Sequence, residues 1–121
     1  MLCLICIRSA DERLEEQREV MVTVDFTGRV FWSPPAIFKS TCTIDIRNFP
    51  FDYQNCHLRF ASWTHDGHRM DLQFFNNETT VDTEDYTESN EWEITAKPAR
   101  RFVNMYKNCP KPYPVLTFFL L

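Results

Sequence analysis

An antiparallel β-sandwich of immunoglobulin-like kind is the fold this 121-residue chain predicts. Three observations carry that expectation: apolar residues alternate with period two, short extended runs are separated by turn signals, and helical periodicity is confined to one stretch. That stretch is Ala10–Arg18, "ADERLEEQR", rich in helix formers but short of an apolar stripe. From Val20 the pattern changes: Val20, Val22 and Val24 face one way, and Met21, Thr23 and Asp25 the other, as in a strand. Phe26-Thr27-Gly28-Arg29 supplies a turn, and Val30–Ser33 resumes extended structure until Pro34-Pro35 ends it, so the pair reads as a hairpin. Further strands are expected at Ala36–Ile46, His57–Trp63, Met70–Phe75, Trp92–Lys97, Arg101–Tyr106 and Val115–Leu121.

The stretch from Asn76 to Glu93 differs in kind. It carries Glu78, Asp82, Glu84, Asp85, Glu88, Glu91 and Glu93 with no Lys or Arg, and reads as an exposed acidic loop. A solvated connector is its first interpretation; carboxylates facing a cation or a neighbouring subunit is the second.

Composition removes several classes of function. Apolar residues make up 44% and aromatics 15%, enough for the core of one domain. The net charge is −4 and the Lys and Arg residues are scattered, so no basic stripe tracks nucleic-acid phosphates. With 2 Gly, the chain cannot build a glycine-rich phosphate cradle. Neither a G-x-S-x-G elbow nor an H-E-x-x-H helix is present, so neither catalysis nor a cofactor is expected. His65-Asp66-Gly67-His68 invites a metal interpretation, but Asp-Gly is a strong hairpin turn that makes its flanking histidines cross-strand neighbours, and no metal site is expected.

Of the cysteines, Cys3 and Cys6 form one C-x-x-C without a second, too little for a zinc module. Cys42 and Cys56 are spaced to close a loop, which would stabilise the fold by about 3 kcal/mol and requires an oxidising compartment. Asn77-Glu78-Thr79 is an N-glycosylation sequon in a polar stretch. The leading "MLCLICI" is too short and badly flanked for a signal peptide. The closing "VLTFFLL" is far short of the roughly 20 residues that span a bilayer, so no transmembrane helix is expected.

Trp63 precedes the Asp-Gly turn, and Tyr106 and Tyr113 bracket "KNCPKP", a hairpin tip. Such rings can form a box for a quaternary or protonated amine, each cation–π contact contributing about 0.5–2 kcal/mol. The competing view, favoured by composition alone, is that Trp63 is core and the tyrosines are hairpin packing.

The stretch "PPAIFKSTCTIDIRNFPFDYQNCHLRFASWTHDG" resembles the ligand-binding domain of Cys-loop, pentameric ligand-gated ion channels, most closely nicotinic acetylcholine receptor subunits. The likeness extends through "SADER" and "VTVDFTGRVFW" on one side, and through Glu91-Trp92 and "YKNCPKPYP" on the other. It implies an extracellular β-sandwich at the plasma membrane, postsynaptic in the family, that binds acetylcholine or a similar amine between subunits of a pentamer and opens a cation pore. By position, Trp63 resembles the tryptophan that meets the ammonium, and Tyr106 and Tyr113 the tyrosines of the capping loop. Thr23, Phe31 and Ser33 match alternating positions that look across the interface from the complementary face. Phe49, Pro50, Phe51 and Asp52 match the loop that presses on the gating apparatus, with Pro50 expected in the cis form. Two departures stand out: Asn108 precedes Cys109, so the vicinal disulfide of ligand-principal subunits cannot form, which points to a non-alpha or a divergent subunit; and His65 stands where an aromatic is usual, making the box more polar.

The resemblance also sets expected boundaries. Residues 1–8 read as an atypical apolar N-terminus and 9–121 as a partial ligand-binding domain, without the family's N-terminal helix, first strands and membrane helices. A soluble amine-binding protein of the same sandwich is the alternative function. A zinc hydrolase built on the histidines is a more distant rival.

Overall fold

The computed structural model describes residues 4–6, 20–107 and 109–121; the helix expected at Ala10–Arg18 lies outside them. Six antiparallel strands follow in chain order: β1 (Leu4–Cys6), β2 (Thr23–Val24), β3 (Val30–Phe31), β4 (Cys56–Ser62), β5 (Ala99–Tyr106) and β6 (Cys109–Leu120). They form a four-stranded sheet of order β1-β4-β6-β5 and a two-stranded ribbon, β2-β3. The described residues contain one short 3-10 turn, Phe75–Asn77, and the chain is all-β.

The ribbon forms where the alternation predicts it. Gly28 donates to the Asp25 carbonyl at 2.9 Å and Asp25 to that of Arg29 at 2.8 Å, closing the hairpin, with Gly28 at φ +86°. A side chain at that φ would be strained, which is why this turn uses glycine.

In the main sheet the register sorts side chains onto two faces. Leu58, Phe60 and Ser62 of β4 share one face with Leu116 and Phe118 of β6 and Ala99 and Arg101 of β5. Onto this face the chain lays two stretches that were expected as strands, Ala36–Ile46 and Met70–Phe75. Among the described residues neither stretch pairs with a named strand, and side chains hold both: Phe38 stacks edge-on against Phe60 at 5.1 Å, and Phe60 and Phe74 each meet Phe118 at 5.7 Å. Arg101 fixes the second stretch, donating from Nε to the Leu72 carbonyl at 2.8 Å and pairing with Asp71. Leu72, Ala99 and Leu116 are buried here. The other face carries Arg59 and Ala61 of β4 beside Tyr113, Val115 and Thr117 of β6; Val115 is fully enclosed.

The stretch Trp92–Lys97, also expected as a strand, instead hooks around the end of β6. Thr95 donates to the Leu121 carbonyl at 2.7 Å and Leu121 to that of Ala96 at 2.9 Å. Thr80 bridges Pro98, with Ala99 donating to Thr79 at 2.7 Å, so the start of β5 is covered at its outer edge.

β6 begins earlier than its apolar run, because Pro110, Pro112 and Pro114 are tolerated in it. β4 pairs β6 only from Val115 onward, so these alternate prolines direct their missing N–H groups toward the side β4 has vacated while β5 pairs the other.

Candidate functional site

The aromatic cluster sits where the end of β4 meets the β5–β6 hairpin. Tyr106, the last residue of β5, and Tyr113 of β6 stand edge to face with ring centres 5.5 Å apart. Trp63 follows directly on β4 and is 76% exposed, so it is a surface side chain and not core. A bare tryptophan on a sheet end costs apolar hydration, and its ring faces are available to a ligand.

What brings β4's end to the hairpin is the turn after Trp63. The sequence suggests that Asp66-Gly67 closes a hairpin with His65 and His68 opposite each other; the structure shows a compact turn instead, in which Arg69 and Met70 donate to the Asp66 carbonyl at 3.1 and 3.0 Å. No strand follows to pair with β4, whose two edges are taken by β1 and β6. The turn docks on the hairpin: Gly67 donates to the Pro112 carbonyl at 2.6 Å, and Lys111 Nζ lies 3.0 Å from Asp66 Oδ2. Asp66 is buried and also accepts from the His68 amide at 3.1 Å. The Lys111 ammonium lowers the Asp66 carboxyl below its ordinary value of 3.8, aided by the backbone amides of His68 and Arg69 and opposed by burial. Because the folded value is depressed, this clasp contributes stability above the unfolded carboxyl's pH range, near about 4. It is lost as pH falls through the folded value, and the protection of the Gly67 amide, its exchange rate relative to the intrinsic rate at each pH, is expected to fall only below that range.

Gly67 itself is required by space. A Cβ there would lie 3.0 Å from the Pro112 oxygen and 3.3 Å from Pro114 Cδ. Gly67→Ala is therefore expected to cost about 1–3 kcal/mol by overpacking, read as a lowered urea midpoint.

The remaining expected site residues lie apart from this cluster in the fold. Thr23 and Phe31 are directly paired across the ribbon and so share a face; both are exposed, as is Ser33 beyond β3. Asn77 of the sequon is exposed at the 3-10 turn with φ 58°. The acidic loop folds round a recess of about 430 Å³, with Tyr86 and Trp92 beside Glu88, Glu93 and Lys97. Among the described residues no three His, Cys, Asp or Glu side chains gather as a metal centre needs, and no helix is long and apolar enough to cross a membrane.

Cys42 and Cys56 are joined, with Cα atoms 5.4 Å apart, and the loop they close projects from the start of β4. Its neck is clamped by Gln54, which accepts from the Asp45 amide at 3.0 Å and donates to the Asp45 carbonyl at 2.8 Å and to the Asp52 carboxylate. Asp45 in turn holds Arg47 Nε at 2.9 Å. Beyond the clamp, tight turns present Phe49, 77% exposed, and Phe51, 90% exposed, on either side of Pro50 in a cis peptide.

Sequence reasoning missed the Lys111–Asp66 pair. Its signal, a lysine inside the proline-rich tip and a carboxylate in a turn, has meaning only once the two are known to meet.

The structure defines an antiparallel β domain with a disulfide-closed projecting loop and with Trp and Tyr side chains at a hairpin end. The family model for the neurotransmitter-gated ion-channel ligand binding domain matches residues 3–121. The chain belongs to that family. Among its relatives are acetylcholine receptor subunit alpha-L1 of Schistocerca gregaria, 38% identical over 95% of this chain, and neuronal acetylcholine receptor subunit alpha-9 of Homo sapiens, 39% identical over 98%. Neuronal subunit alpha-10 of Rattus norvegicus is 40% identical over 98%. The chain spans 22%, 24% and 26% of these relatives' lengths, respectively. All three carry alpha in their names, whereas the non-alpha assignment rests on Asn108 alone.

Proposed function

We propose that this chain is the ligand-binding portion of an acetylcholine-type receptor subunit, taking a quaternary or protonated amine at Trp63, Tyr106 and Tyr113. The observation that carries this is the clasp: Asp66 and Gly67 tie the exposed Trp63 to the hairpin that bears the stacked tyrosine pair. Three aromatic side chains on two docked elements offer ring surface to an ammonium ligand, and the hairpin's Lys111 is already neutralised by Asp66. Thr23, Phe31 and Ser33 form the complementary surface offered to a neighbouring subunit of a pentamer. Phe49, Pro50, Phe51 and Asp52 form the tip that transmits binding to a pore in the membrane-spanning part of the complete subunit. An apolar tip this exposed supports coupling to another apolar surface over a free-standing soluble binder. The disulfide and the exposed sequon support placement on the extracellular side of the plasma membrane.

The test is a titration of the chain with acetylcholine and with tetramethylammonium, followed by the ring resonances of Trp63, Tyr106 and Tyr113. A saturable shift at all three with both ions is expected. Saturable binding that leaves these rings unmoved, or none up to tens of millimolar, overturns the assignment.

A further inference from the structure

We propose that Arg59, Thr117 and Arg100 form a binding site for a small oxyanion, a carboxylate, sulfate or phosphate group. In the sheet register Thr117 of β6 lies directly opposite Arg59 of β4 on one side and Arg100 of β5 on the other. The three side chains therefore form one row on one face, with adjacent Cβ atoms about 4.5–5.5 Å apart.

Three features of this row go together. The Thr117 hydroxyl is buried, the residue being 2% exposed, and has no hydrogen-bond partner. Buried hydroxyls are nearly always paired, because an unpaired one forfeits its hydration. Among the described residues neither guanidinium beside it has a side-chain hydrogen bond or an ion pair. Finally, β4, β5 and β6 contain no Asp or Glu, so the sheet supplies no internal counter-charge. Arg101 provides the contrast: it points to the opposite face, where Asp71 and the Leu72 carbonyl satisfy it.

An oxyanion resolves all three at once. Two guanidiniums present forked N–H donors that match planar or tetrahedral oxyanions, and the hydroxyl between them donates its proton to one of the same oxygens. Arg59 is half-buried and Arg100 exposed, so the row reaches solvent on both sides of the hydroxyl. The row is distinct from the aromatic cluster: Tyr113 shares its face but lies about 14 Å along β6 at roughly 3.4 Å per residue. The inference is independent of the amine assignment.

The test is thermal unfolding of the chain in sodium sulfate, sodium phosphate and sodium acetate, each against sodium chloride at matched ionic strength. A saturable rise in melting temperature with at least one of them is expected, and the salt that produces it identifies the geometry of the group. The rise is expected to vanish in the Arg59→Gln/Arg100→Gln double variant. Thr117→Val should melt at or above the wild-type temperature without oxyanion, since it removes an unpaired hydroxyl, yet need about tenfold more oxyanion for half-saturation. An unsaturable rise common to all forms is general salting-out and overturns the site. So does a Thr117→Val variant that melts lower without oxyanion, because its hydroxyl would then already have a partner.

Discussion

Replacing Cys42 and Cys56 together by serine is expected to destabilise the chain by about 3 kcal/mol, roughly two orders of magnitude in the folding constant. The bridge spans a sequence separation of 14, and cross-linking a loop of that size removes denatured-state freedom that the native loop recovers poorly by other means. Its tip is nearly bare, so Phe49 and Phe51 contribute little burial. The Gln54 clamp is local and part-exposed, worth about 1 kcal/mol for a typical hydrogen bond. Without the bridge, the loop and the preceding stretch lose their anchor at the start of β4, and Phe38 loses its hold on Phe60. Urea unfolding should show a lowered midpoint, and wild type held in reductant should behave like the double variant. A loss below about 1 kcal/mol would mean that the denatured chain is already confined there.

The elements legible in the sequence are those whose reasons are local. The ribbon was legible because its alternation and its glycine turn lie within a few residues of one another. β4 and the apolar half of β6 were legible because a buried strand must be apolar. The stretches Ala36–Ile46 and Met70–Phe75 carry the same period-two signature yet belong to none of the strands among the described residues, because alternation reports that one face is buried and not which backbone pairs. Phe38, Leu72 and Phe74 satisfy it by packing across the sheet. From sequence Leu4–Cys6 is an atypical apolar run, whereas in the structure it pairs with Phe60–Ser62 at the sheet edge, a partner no local signal could name. The candidate site divides in the same way. The aromatics are visible as residue types, but the turn that joins them is held by Lys111 and Pro112 from a distant hairpin, and the row Arg59–Thr117–Arg100 exists only through register.

Trp63→Ala is expected to weaken acetylcholine binding by about 1–2 kcal/mol, roughly five- to thirtyfold, while leaving stability within about 0.5 kcal/mol of wild type. The two halves follow from one observation: a side chain 76% exposed contributes little to folding and leaves ring surface open to a ligand. Trp63→Phe should recover part of the affinity, because a phenyl ring carries a weaker quadrupole over a smaller area. Loss of apolar contact could produce the same weakening, so the decisive comparison uses 3,3-dimethylbutyl acetate, which replaces the ammonium nitrogen by carbon and keeps the shape. If the ring meets a cation, Trp63→Ala costs the charged ligand far more than the neutral one, and the gap measures the electrostatic part. Equal losses for both would reduce Trp63 to an apolar wall and remove the physical basis for assigning an amine to this site.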